Sequence, residues 1–554
     1  MKIIIKILLP LTVLLVSACG GGTNPIDKYS PAAAPALPAT EVANAIPDGP
    51  LTRREAFRLV EQSTFGPQLD DINYVARIGP ENWINEQLQS PATFLLTGLL
   101  HSSKDRWRQH VNVWWRNSIQ ADDQLRQRVA FALSEILVIS SEDSLGEEQS
   151  ALAGYYDILV RNAFGNYRDL IEEVTLSPVM GEYLSMKGNQ KPDPEYNIRP
   201  DENYARELLQ LFTIGLVELN PDGTPKLDDE GVPLPAYNQS HIEAFAHVFT
   251  GWQFANADDF RWPEKKDYMR PMKSWAEFHD TGKKQLLRGV TLPAGQTAEE
   301  DLDQALDNLF NHPNVGPFIV RQLIQRLVTS NPSPQYIEDV AAVFNKNAAG
   351  ERGSLGSTIK AILMHREARQ GHLDQPEIFG KPKEPLLRLT QLWRAFEPES
   401  IHNEFDYAWA DNELAQAPLA SASVFNFFRP DFSQPGEIYD QGLSSPEFQI
   451  MDETSIITIT SRLLASTLWS HNYKSNNDTH RIAIDISREM QLEGDHEALI
   501  KHLDMLLLGG RMSRGLREEV LDLMASKRLS YDASQRVVEA IFLIISSPEA
   551  AVQI

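Results

Sequence analysis

One cysteine, Cys19, stands in 554 residues. No disulfide can form within a single chain, and thiol nucleophiles and Cys-ligated zinc are excluded from the body that follows. Cations are also in deficit: 51 Lys and Arg against 76 Asp and Glu leave a formal charge of −25. A surface of that sign repels phosphate backbones, so nucleic acid is not an expected partner. After Val16 no stretch approaches eighteen consecutive apolar residues, so no later segment reads as a membrane span. Alternating strand patterns are scarce. There is no G-x-S-x-G elbow, no G-x-x-x-x-G-K-S/T loop and no strand-coupled G-x-G-x-x-G, which sets aside standard serine-hydrolase and nucleotide chemistry. The nearest approach to a zinc-protease helix, His496 to His502, separates its imidazoles by six residues. That spacing turns them about 240° apart rather than onto one face. Most other histidines lack a ligand-spaced partner, so neither a metal nor a cofactor is expected.

What is present begins with the first residues. Lys2 and Lys6, an apolar run to Val16 and then Val16-Ser17-Ala18-Cys19 read as a secretory leader over 1–18. The last four residues resemble a bacterial lipobox, whose cysteine receives diacylglycerol and an N-acyl chain such as palmitate and becomes the mature N-terminus. Two lipid signals suffice for stable anchoring. Gly20 rather than Asp after Cys19 implies an outer-membrane destination in the cell envelope. Loss of the leader with its two lysines takes −25 to −27. Segment 19–50 is rich in Pro, Ala and Gly and poor in large apolar groups, so it reads as a tether. Its mean reach is about 30 Å.

From Leu51 the periodicity is helical, and the expected fold is mainly α: a large multi-helical body over 51–554, with 51–300, 301–400 and 446–554 as candidate sub-units. Helices are expected over 122–140 with Asp122 and Asp123 as caps, over 333–345 behind Ser333-Pro334, and over 301–311, 315–329, 357–366, 383–396, 446–468, 495–508, 511–525 and 532–546. The turns Pro221-Asp222-Gly223 and Asp229-Glu230-Gly231 predict a short β-hairpin insertion over about 216–240. Its acidic residues lack the closing Glu of a calcium loop. Long irregular loops are expected over 253–300, anchored by Trp262 and Trp275, and over 397–445.

The densest pattern is PDENYARELLQLFTIGL, residues 200–216. On a helix capped by Asp201, Tyr204, Ala205, Leu208, Leu209, Leu211 and Phe212 share one face, and Glu202, Asn203, Arg206, Glu207 and Gln210 share the other. Pattern alone favours a solvated amphipathic helix with a Glu202–Arg206 pair. The chemical reading makes Glu202 and Glu207 an acid/base pair, with Asn203 and Arg206 as ligand contacts. Five residues on a helix turn the two glutamates about 140° apart, which is awkward for a tight pair. A second candidate is Phe278-His279-Asp280-Thr281-Gly282-Lys283-Lys284, where His279 and Asp280 can assist catalysis and Lys283 can bind a ligand. Thr250-Gly251-Trp252 reads as a packed helix stop, with Trp252 retained as a candidate ligand platform.

TFGP (64–67), RQRVAFALSEILVIS (126–140), AFGNYRDLIEEVTLSPVMGEYLS (163–185), the 200–216 segment, FTGW (249–252), HDTGKK (279–284), HPNVGPFIVRQLIQRLVTSNPSP (312–334), SVFNFFRPDF (423–432) and SPEFQI (445–450) occur in this order. Together they resemble a secreted bacterial family catalogued as domain of unknown function 1800, from about residue 52 to the C-terminus. The family's central motif usually opens Asn-Glu-Asn-Tyr, and here Asp201 takes the first place. Family members have no established activity. Their frequent neighbour, a secreted protein similar to alkaline phosphatases and sulfatases, implies a partner of that kind. Two functions follow as expectations: an envelope lipoprotein that binds or displays a secreted partner or surface polymer, or an extracellular hydrolase or lyase acting on a polymer or glycan.

Overall fold

The expected mainly helical fold is present. A computed structural model describes residues 49–101, 108–142, 144–400, 404–471, 482–525 and 532–554, and among these the chain forms 24 α-helices and only two-residue strands in four small antiparallel sheets. The leader, Cys19 and residues 20–48 lie outside the described residues. Local chemistry sets many helix starts. Thr52 and Glu55 close a reciprocal capping box ahead of Arg53–Ser63, and Thr297 with Glu300 does the same ahead of Ala298–Phe310. Ser333 Oγ accepts the Tyr336 N–H and Pro334 opens Pro334–Asn345, as the sequence predicts.

Several boundaries differ from expectation, and the helix expected over 122–140 stops at Ser134, with Ser140 instead bridging Ala420. Asp123 stands before Gln124–Ser134 without capping it, because its Oδ2 accepts instead from Thr93 N at 2.9 Å and Gln127 Nε2 at 3.0 Å. The expected 446–468 helix divides into a short 3₁₀ turn, Pro446–Ile450, and the helix Glu453–Leu468, whose cap is Asp452.

One buried apolar cluster includes residues from Ala56 to Ala550. Aromatic edges tie distant parts of the chain together inside it: Phe65 on Trp114 at 5.2 Å, Trp114 on Trp115 at 5.0 Å, and Trp115 on Trp393 at 5.4 Å. Each such pair contributes about 0.5–1.5 kcal/mol beyond its buried area. The last residues are held as firmly. Val552–Gln553 pairs with Lys381–Pro382, and Arg58 Nε donates to Ile554 O at 3.0 Å.

The hairpin insertion is present as isolated bridges, Val217 to Pro235, Leu219 to Pro225 and Leu227 to Pro233. Asp222 and Asp228 are occupied in its turns, accepting from Thr224 N and from the N–H groups of Glu230 and Val232. In the irregular 253–300 excursion Trp262 is no anchor: it is 84% exposed. Phe260 and Phe278 anchor that loop instead, stacked at 4.0 Å with Trp275 beside them. Among the described residues no helix is long and apolar enough to cross a membrane.

Candidate functional site

The first predicted segment forms the helix Asn203–Glu207, which continues as a wider π turn, Leu208–Thr213. Asp201 starts it: its Oδ1 accepts the Asn203 N–H at 2.8 Å, and Asn189 Oδ1 accepts the Asp201 N–H at 2.8 Å. Glu202 and Arg206 pair at 2.9 Å on the surface, and Gln239 Nε2 donates to the same Glu202 oxygen at 2.9 Å. Asn203 is exposed. Glu207 departs from the polar face assigned to it. Its residue is only 6% exposed, and its Oε2 has no hydrogen-bond partner. Burial raises this carboxyl above its ordinary range, with Arg206 pulling the other way. Thr213 Oγ1 donates to Leu208 O, five residues back, at 2.5 Å inside the π turn. Such turns break a 3.6-residue register and occur often where a helix serves a site.

The second segment divides its residues between two jobs. His279 is sealed inside, its Nδ1 facing Thr250 O at 3.0 Å and its Nε2 facing Asp301 Oδ2 at 3.1 Å. Lys284 Nζ meets the same Asp301 oxygen at 2.6 Å, and all three side chains are buried. The buried cation is therefore Lys284, while Lys283 is exposed. Asp280 turns outward to a residue the sequence reading missed, His247, whose Nδ1 lies 2.5 Å from Asp280 Oδ2. That hydrogen bond, against a smaller desolvation cost, holds the Asp280 carboxyl down at about 2. The 278–280 loop reaches this position because residue 251 is glycine. Its φ is +87°, and a Cβ there would stand 2.9 Å from His279 N. Trp252 is core rather than platform, buried with its Nε1 unpartnered.

Both segments pack on the helix Gln239–Val248, at opposite ends. Glu202 reaches Gln239 and Asp280 reaches His247. Eight helical residues span about 12 Å. Gln239, Glu243 and His247 recur every four residues, so they form one polar stripe between the two ends. That four-residue spacing is the signal by which His247 could have been found. The predicted residues thus follow a half-exposed line along one helix, with Glu207 and His279 buried beneath it.

A concave site lies elsewhere. A cleft of about 400 Å³ opens beside the π turn, within the range of small-ligand sites. Its walls come from Leu211, Ile214, Phe318 and Val424, and Leu216 and Phe425 at 58% and 44% exposure are apolar groups left open to solvent. The helix Val315–Leu327 supplies its polar side: Arg321, Gln322, Gln325 and Arg326. Arg326 and Glu135 belong to a buried charge cluster that continues through Glu384, Lys381, Glu447 and Arg128. Burial, reinforced by Glu384, raises the Glu135 carboxyl well above its ordinary range against the pull of Arg326, Arg128 and Lys381. Gln210 joins the cleft from the predicted helix, but Glu202, Asn203, Arg206, Glu207, His279, Asp280 and Lys283 do not.

The family model described as protein of unknown function (DUF1800) matches residues 58–552. The chain belongs to the DUF1800 family. No curated protein and no solved structure matches it. Four of the segments by which the sequence resembles DUF1800 proteins meet at the cleft. Segment 126–140 brings Glu135 and Ile136, 200–216 brings Gln210 to Leu216, 312–334 brings Phe318 to Arg326, and 423–432 brings Val424 to Asp431. Among the described residues of this DUF1800 chain no three His, Cys, Asp or Glu side chains are arranged to hold a metal ion.

Proposed function

We propose that this DUF1800 protein is a cell-envelope lipoprotein, anchored through Cys19 at the outer membrane, that binds and displays a secreted partner. One observation carries the reading. The concave, partly apolar site is built from four separate chain segments, whereas Glu202, Glu207 and Asp280 all lie outside it, Glu207 buried and the other two beside the polar stripe. Such a cleft suits recognition, because apolar walls supply affinity and a few fixed polar groups supply orientation. The resemblance to proteins encoded beside phosphatase- and sulfatase-like neighbours makes a secreted protein of that kind the first partner to seek. Pull-down of the full chain from detergent-solubilised native envelopes tests this. Wild type should recover a partner in stoichiometric yield, and Phe425→Asp, at an exposed cleft position, should lose it. A wild-type protein recovered alone overturns the reading.

The His247–Asp280 dyad favours a second reading, a hydrolase or lyase acting on an extracellular polymer or glycan. An imidazole one-third exposed and oriented through Nδ1 by a carboxylate leaves Nε2 for proton transfer. Glu202, about 12 Å along the stripe, and the buried Glu207 would then serve as ancillary carboxylates, with Asn203 and Arg206 as polymer contacts. Release of reducing ends from purified envelope polysaccharide, abolished by His247→Gln in a protein of unchanged thermal stability, is the expected result. Equal release by the variant removes the dyad from the chemistry.

A further inference from the structure

We propose that the cleft receives the C-terminal end of a polypeptide, seating apolar side chains on its walls and a free carboxylate on its arginines. This rests on the binding reading above and names what is bound. Three independent features select that ligand. The apolar walls Leu211, Ile214, Phe318 and Val424 offer contact area for one or two aliphatic or aromatic side chains.

The polar groups then ask for an amide. Gln325 Nε2 is fixed by two carbonyls, donating to Ser330 O and Pro430 O at 3.0 Å each, so its oxygen is the unsatisfied end. Gln322 Nε2, three residues earlier on the same helix, has no hydrogen-bond partner. Both residues are buried and both line the cleft. An unmet donor and an unmet acceptor one turn apart match the C=O and N–H of a peptide main chain, which reaches these two buried atoms once the glutamine side chains turn toward the opening. A fatty acid brings acceptors alone and leaves the Gln325 oxygen unmet.

Charge supplies the third feature. In a chain of net charge −25 the cleft carries three arginines, Arg321, Arg326 and Arg429, against two acids, Glu135 and Asp431. Among the described residues Arg321 makes no hydrogen bond and no ion pair within 4.0 Å, although Asp431 lies near enough to favour its charge, and Arg429 stands 3.8 Å from Asp431 on the exposed rim. Against a net charge of −25 for the whole chain, the excess of arginine here gives an anionic group a place to be drawn to. Guanidinium groups take a carboxylate through paired N–H donors. A chain terminus joins that carboxylate to a main-chain amide and an apolar side chain within one residue.

Fluorescence anisotropy of the full-length detergent-solubilised protein tests the assignment with three probes: a labelled hexapeptide ending Leu-Phe with a free carboxylate, the same peptide as its C-terminal amide, and labelled palmitate. The free-carboxylate peptide should saturate, the amide should bind at least tenfold more weakly, and Arg321→Gln and Arg429→Gln should each weaken the free form by roughly tenfold. Equal binding of the two peptides, or saturation by palmitate alone, overturns the proposal. If no peptide binds while Phe425→Asp still loses the envelope partner, the ligand class falls and the binding reading stands. If that variant also keeps the partner, both fall.

Discussion

Asp301 and Glu207 show how differently two buried carboxylates behave. Asp301 meets Lys284 at 2.6 Å and His279 at 3.1 Å with no exposure of its own. Asp301→Ala leaves Lys284 buried without its counter-charge, a loss of about 3–5 kcal/mol, to be read from urea unfolding. Glu202→Gln breaks only a half-exposed pair and should cost under about 1 kcal/mol in the same assay. Glu207 has an unpartnered oxygen, and burial raises its pKa above the ordinary 4.5. A raised carboxyl contributes stability below 4.5 and loses it as pH rises through the folded-state value. Glu207→Gln should therefore be more stable than wild type at pH 7, with the gain fading in unfolding curves taken below pH 4.5. Periodicity put this side chain on the polar face, because helix geometry gives an angle and says nothing of what packs over it.

At the scale of elements, the sequence was most legible where local chemistry acts alone. The stretch 315–329 appears as Val315–Leu327, and Ser333-Pro334 opens its helix as capping requires. The π turn at Leu208–Thr213 was not legible, since its register depends on neighbours rather than on residue type. Nor was the link from Asp280 to His247, 33 residues apart in sequence. Gly251 makes that link possible, and it can be tested against Gly231. Both have positive φ, +87° and +80°, but a Cβ at 251 meets His279 N at 2.9 Å while one at 231 meets nothing within 4 Å. Gly231→Ala should cost about 1–2 kcal/mol from backbone conformation alone. Gly251→Ala should exceed it clearly in thermal unfolding and should also disturb the imidazole NMR signal of His247.

For the molecule as a whole, the lipid anchor proposed at Cys19 would decide where a partner is met. A tether of the composition of 19–50 would have a mean reach of about 30 Å, enough to let the helical body stand off the membrane surface. Cys19→Ala should abolish incorporation of labelled palmitate and release the protein from membrane pellets into the soluble fraction. Labelling that persists in the variant removes the lipid from this account.

Composition and periodicity by themselves determined the helical class, the absence of disulfides, the acidic surface and the capped helix ends, because each of these depends on residue type or on neighbours within a turn or two. Tertiary structure decided the rest. It separated Asp280 from His279, chose Lys284 over Lys283, exposed Trp262, buried Glu207 and gathered residues 135, 214, 321 and 425 around one cleft. Contacts between segments hundreds of residues apart are set by how whole helices pack, and helical periodicity carries no information about which helix lies opposite.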